Sequence, residues 1–168
     1  MILSRSFLRT LVTSLIAMAF FSHPGFSATD LLKKPKAPLP SLNAGPSFAG
    51  ETSKAPLTVV QFWASWCTGC GVVMGQMTDL ISNRTDVGYV TVSLDESKDV
   101  ALKFFGNKSE KAQQAIARSY LDASGASYAE QNGVESLPYL ILVDKQGTIV
   151  KRIKGHPSKT DLELISKK

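Results

Sequence analysis

Apolar and polar positions along this chain fall into strand-like runs and helix-like segments in alternation. Leu57 to Ala64, LTVVQFWA, is an apolar run rich in β-branched and aromatic residues, the pattern of a buried strand. Val87 to Leu94 predicts a second strand. Between them Val72, Val73, Met77, Leu80 and Ile81 supply the apolar side of a helix expected from Cys67 to about Ser82. Ser97 to Phe105 is amphipathic, and Asn107 with Glu110 three residues on suggests the cap of another helix reaching Arg118. Tyr120 and Leu121 open a short strand segment, and Tyr128 to Asn132 a helical turn. The last third is plainer: Tyr139 to Val143 is an apolar strand, Asp144 to Gly147 a turn, Thr148 to Ile153 its hairpin partner, and Ser158 caps a final helix. Strands alternating with helices, then a hairpin and a helix, predict an α/β fold with a mixed central sheet flanked by helices on both faces.

The N-terminal part follows a different pattern. Arg5 and Arg9 precede an apolar run from Leu11 to Phe21, and Pro24, Gly25, Ser27 and Ala28 follow it. That order predicts a signal peptide over residues 1–28, because the run is well short of the roughly 20 apolar residues that a bilayer-spanning helix needs. Small residues place the cut near Ser27 or Ala28, and no cysteine stands before Cys67 to carry a lipid anchor. The expectation is a periplasmic or otherwise exported protein with no stable membrane span after cleavage. Five prolines (35, 38, 40, 46 and 56) lie between Leu31 and Pro56 with no sustained apolar period, so residues 29–55 are expected to form a Pro-rich linker ahead of a domain at 56–168.

Composition agrees with one globular domain: 168 residues, 43% apolar and 20% charged. The net charge of +5 does not mark a nucleic-acid binder. From Pro56 onward 13 Lys and Arg stand against 12 Asp and Glu, so the excess lies at the N-terminus. The one basic run in the domain, Lys151, Arg152 and Lys154, is offset by Asp161 and Glu163.

Two cysteines, Cys67 and Cys70, carry the candidate chemistry. They follow a predicted strand and open a predicted helix, where unpaired N–H groups and the helix dipole favour a thiolate over a thiol. Cys67 is then the attacking thiol, and Cys70 can close the intramolecular disulfide that releases a bound partner. No cofactor is expected. A structural zinc site needs four ligands, and beyond the signal peptide the chain has two cysteines and His156. Haem attachment needs a histidine directly after the second cysteine, and Gly71 stands there. Two alternatives remain open on residues alone: a Cys67–Cys70 disulfide that performs no exchange, and a Cu(I) carrier that adds Met74 and Met77 to the cysteines. Those methionines equally fit a helix core face.

The segment Phe62-Trp63-Ala64-Ser65-Trp66-Cys67-Thr68-Gly69-Cys70 resembles the active-site segment of the thioredoxin superfamily. Ser136-Leu137-Pro138-Tyr139 before an apolar strand resembles that superfamily's cis-proline loop, and the hairpin ends in Gly155 where thioredoxins also have a glycine. The resemblance covers roughly residues 55 to 168 and implies the thioredoxin fold. Asp95 and Pro138 are 43 residues apart, more than a plain thioredoxin uses, and the helix near Asn107 to Arg118 would fill the gap. With the export signal, this is similar to periplasmic TlpA/ResA-type proteins, which reduce disulfides in proteins outside the cytoplasm, including apocytochromes c. The resemblance implies protein thiols and disulfides as partners, together with an upstream electron-donor protein. It also implies that Trp66, Leu137, Pro138 and Gly155 border Cys67 and receive a partner's backbone. The chain is expected to be a monomer.

Several positions depart from the family pattern. Gln61 stands where thioredoxins place a buried aspartate, Val73 and Gly75 where TlpA/ResA-type proteins often carry Glu and Pro, and Thr91 where many thioredoxins have lysine. Thr68 and Gly69 also lack the histidine that strong oxidases and isomerases place between their cysteines. A reductase is therefore preferred over an oxidase or isomerase.

Overall fold

A computed structural model of the chain describes residues 30–106, 115–123 and 127–167. The expected signal peptide and most of the helix expected from Asn107 to Arg118 lie outside them. Five strands form one sheet in the order β3-β2-β1-β4-β5: β1 is Leu57–Trp63, β2 Val87–Ser93, β3 Ser119–Leu121, β4 Tyr139–Asp144 and β5 Ile149–Lys154. β1 runs parallel to β2 and antiparallel to β4, with Leu57 opposite Val87 on one side and Asp144 on the other. β3 is parallel to β2, and β5 is antiparallel to β4, with a register shift at Leu142/Val143. The sheet is mixed, as its pattern predicts.

Every residue of β1 is buried, because alternate side chains enter different cores. Leu57, Val59 and Trp63 join Val87, Tyr89, Leu140 and Leu142 on one face. Val60 and Phe62 join Val90, Val92, Tyr139, Ile141 and Val143 on the other. Helices α1 (Phe48–Thr52), α2 (Cys70–Ile81), α3 (Lys98–Gly106), α4 (Ser127–Gln131) and α5 (Lys159–Ser166) cover both. The first core takes Val73, Met74, Met77 and Ile81 from α2, Ala101 and Phe105 from α3, and Ile165 from α5. The second takes Phe48 from α1 and Tyr128 and Ala129 from α4. Phe48 meets both Tyr120 and Tyr128 edge to face, with centroids 5.3 and 5.4 Å apart.

Residues 30–55 depart from the extended linker expected of them. Leu42 is buried in the first core and Phe48 in the second. Ser41 bridges Tyr120 and Leu31 bridges Thr148, so the segment also pairs with both sides of the sheet. Ser47 caps α1 through the Gly50 N–H, and buried Glu51 pairs with Arg118 at 3.2 Å. The prolines break the apolar period without preventing burial: Tyr120 donates its hydroxyl to the carbonyl of Pro46 at 2.8 Å.

α2 begins at Cys70, three residues later than the expected start at Cys67. The reason is local. The N–H of Cys67 donates to Ala64 O at 3.1 Å and that of Cys70 to Cys67 O at 3.2 Å, two tight turns that place Cys67 on the approach to the helix. The first full helical turn closes from Val73 N–H to Gly69 O.

Candidate active site

Cys67 and Cys70 are joined in a disulfide, with Cα atoms 5.4 Å apart. Their exposures differ: Cys67 retains 7% and Cys70 none. Beside them in the chain, Trp66 is 71% exposed, an unusual cost for a large aromatic in a folded domain. The Leu137–Pro138 peptide is cis. Gly155, at φ +76°, donates its N–H to Pro138 O at 2.8 Å, so the end of β5 is tied to the loop before β4. A Cβ on Gly69 would lie 3.7 Å from Pro138 Cδ, which brings the proline loop against the cysteine turn. Cys67, Cys70, Pro138 and Gly155 are thus gathered at one end of the sheet, with Trp66 at their rim. Leu137 is half-buried and packs against both cores, the first of which includes Cys67 and Cys70.

The turn that carries Cys67 is held from below by a residue that the sequence offered only as a spacing marker. Asp95, buried after β2, accepts from Ser65 N–H at 3.0 Å, Ser65 Oγ at 2.7 Å and Ser93 Oγ at 2.7 Å. A carboxylate has the lone pairs for three such donors, whereas an amide has half as many acceptor sites. Its signal in the sequence, an acid just past an apolar strand, is too common to single it out.

Gln61 lies on the α2 side of β1 and is fully buried. Its Nε2 donates to the backbone carbonyl of Cys70 at 3.1 Å, and its Oε1 accepts from the Tyr89 hydroxyl at 2.6 Å. Burial pushes the Tyr89 phenol well above its usual range, so it remains a donor at any ordinary pH. Thr91 serves packing in a similar way. Trp63 Nε1 donates to Thr91 Oγ1 at 3.1 Å, Thr91 and Ser119 share a 2.6 Å contact, and Ser119 donates to Ala115 O at 2.7 Å. Since the single Ser119 proton is spent on Ala115, Thr91 donates to Ser119 and the chain has one direction.

Met74 and Met77 are buried among the core residues of α2, the ordinary use of methionine. Among the described residues no group of three His, Cys, Asp or Glu side chains is placed to hold a metal ion. No helix among them is long and apolar enough to cross a membrane.

A disulfide at the mouth of a helix, facing a cis-proline loop on a five-stranded mixed sheet, defines a thioredoxin-like domain. The thioredoxin-like domain family model matches residues 48–168, and the chain belongs to that family. It is 32% identical over 111 residues to the thiol-disulfide oxidoreductase ResA of Bacillus thuringiensis, a match covering 65% of this chain and 61% of that protein. The chain therefore spans about three fifths of the length of such curated relatives. Among solved structures, the thioredoxin domain of a thiol-disulfide oxidoreductase from Bacteroides vulgatus superposes with a TM-score of 0.65 at 17% identity, over 85% of this chain and 98% of that one. StoA from Bacillus subtilis gives 0.53 at 23% identity, over 68% and 82%. Both similarities support the fold.

Proposed function

We propose that this protein is a thiol–disulfide oxidoreductase of the ResA/StoA type, in which Cys67 attacks and Cys70 resolves. The observation that carries this is the asymmetry of the pair: one sulfur-bearing residue reaches the surface, and the other is sealed in the core one turn further on. A partner sulfur can approach Cys67 alone. Attack by the Cys67 thiolate on a partner disulfide gives a mixed disulfide and expels one partner thiol; attack by Cys70 on Cys67 Sγ then expels the second and restores the Cys67–Cys70 bond. Two electrons pass to the partner in each cycle. Trp66, Pro138 and Gly155 form the surface on which the partner's backbone lies, with Leu137 as its packed floor.

The reaction runs in the reducing direction on exported proteins, apocytochromes c among the candidate substrates, with electrons supplied by a second protein dithiol. This rests on the ResA likeness and on the signal-like N-terminus. Equilibration of the purified domain in glutathione buffers of graded ratio tests it. A reductase stays oxidised in strongly reducing mixtures, whereas an oxidase is already reduced in mild ones. Tight one-to-one uptake of Cu(I) by the reduced protein, with no disulfide exchange, would favour the carrier instead.

A further inference from the structure

Gly69 stands in the turn between the cysteines with φ −77° and ψ −20°, a conformation open to any residue. Its backbone therefore gives no reason for a glycine. Space gives the reason: a Cβ at this position would stand 2.9 Å from Nε2 and 3.7 Å from Cε1 of His156, a residue 87 positions away in the chain. The ring occupies the place that a side chain between the cysteines would otherwise take. It is delivered there by fixed neighbours, since Gly155 is tied to Pro138 O and Ser158 caps α5. Among the described residues the ring has no hydrogen-bond partner to explain its placement.

We propose that His156 is a positioning residue of the Cys67–Cys70 site, whose imidazole, seated on Gly69, sets how much of reduced Cys67 is thiolate near neutral pH. This rests on the disulfide-exchange reading above. Reduction of the Cys67–Cys70 disulfide by a partner dithiol breaks one S–S bond here and forms one in the partner. Of the two protons the partner gives up, one ends on Cys70 and the other on Cys67, the imidazole or solvent. An imidazole beside the turn favours the second of these: by taking the proton it becomes a cation next to the Cys67 anion, which the helix N-terminus already favours. Histidine is the side chain type suited to this at neutral pH.

The other charged groups on the bordering elements are largely committed elsewhere. Glu135, ahead of the proline loop, pairs with Lys154 of β5. Asp161 of α5 pairs with Lys151 at 2.7 Å, Asp95 is occupied by Ser65 and Ser93, and Lys159 is exposed on the first turn of α5. Cys67 and Cys70 are the titratable groups of the turn itself. The result is an arrangement in which the histidine absent from the local sequence is supplied by the fold.

The test is the pH profile of Cys67 alkylation by iodoacetamide in the fully reduced protein, with the modified residue located by peptide mass. His156→Ala is expected to move the Cys67 titration upward by up to about one pH unit, a loss of as much as about tenfold in thiolate at neutral pH. Gly69→Ala leaves the imidazole in the chain but displaces it, and should move the profile in the same direction. Superimposable profiles for wild type and a folded His156→Ala overturn the proposal; if that variant does not fold, an unchanged profile in Gly69→Ala overturns it. Alkylation needs no partner protein, so failure of the disulfide-exchange reading shows separately, as a Cys67 that titrates in a protein that exchanges no disulfides.

Discussion

Gln61 reaches Cys70 through its backbone carbonyl, not its sulfur: Nε2 donates to Cys70 O at 3.1 Å while Tyr89 holds Oε1. The amide therefore positions the first residue of α2 and supplies no base. Gln61→Glu keeps the length and the Tyr89 bond but sets a carboxyl oxygen against the Cys70 carbonyl. Burial raises such a carboxyl's pKa, so its cost is absent below its ordinary titration and grows as pH rises through the shifted value. The melting temperature of the variant should fall between pH 5 and pH 8 relative to wild type, by the equivalent of about 1–3 kcal/mol. Mixed-disulfide release should not quicken with it, since the carboxylate meets the carbonyl of Cys70 and not its sulfur. Parallel melting curves for the two proteins across that range would count against this placement.

Asp95→Asn tests the clamp on the cysteine turn. One of the two acceptor oxygens becomes a donor facing Ser65 or Ser93, and a buried bond is replaced by a donor–donor clash. Loss of about 1.5–3 kcal/mol is expected in urea unfolding. The Ser65 amide should also exchange with deuterium faster than in wild type. Unchanged Ser65 protection would mean that the turn is held by other contacts.

Gly75 lies inside α2 and a Cβ there meets nothing within 4 Å. Gly75→Ala should stabilise the protein by about 0.5–1 kcal/mol, the usual difference between the two residues in a helix interior. Denaturant titration measures it. A loss of stability would show that the helix is bent or crowded at that point.

These residues also show what the sequence could and could not disclose. β1 was legible because seven successive buried residues need no partner to be recognised, and the cysteine turn and proline loop because their motifs are local. The packing of residues 30–55 was not, since Leu42 and Phe48 stand alone among prolines and glycines and their partners lie far along the chain. Asp95 meets Ser65 across 30 residues and His156 meets Gly69 across 87. Such pairs are made by the sheet order, which brings the ends of β1, β2, β4 and β5 to one place. The start of α2 lies beyond the expected Cys67 because the tight turns around that residue mimic helical spacing.

Asp161 provides an acid-side prediction. The Lys151 hydrogen bond, with help from Ser158, lowers its carboxyl from 3.8 to about 2. A lowered pKa contributes stability that is complete above the ordinary value and is lost as pH falls through the shifted one. Wild type should therefore lose stability between about pH 4 and pH 2, and Lys151→Ala should show a shallower loss over that interval. Equal slopes in the two proteins would mean that the ion pair contributes nothing there.

The division of labour between Cys67 and Cys70 is tested most directly by trapping. Reduced Cys70→Ser and Cys67→Ser proteins are each incubated with oxidised glutathione at neutral pH, quenched with acid and weighed by mass spectrometry. Cys70→Ser is expected to accumulate one glutathione, on Cys67, in a mixed disulfide that persists, while Cys67→Ser reacts far more slowly because its remaining sulfur is sealed in the core. Faster capture by Cys67→Ser, or no capture by Cys70→Ser, would contradict the assignment of Cys67 as the attacking thiol.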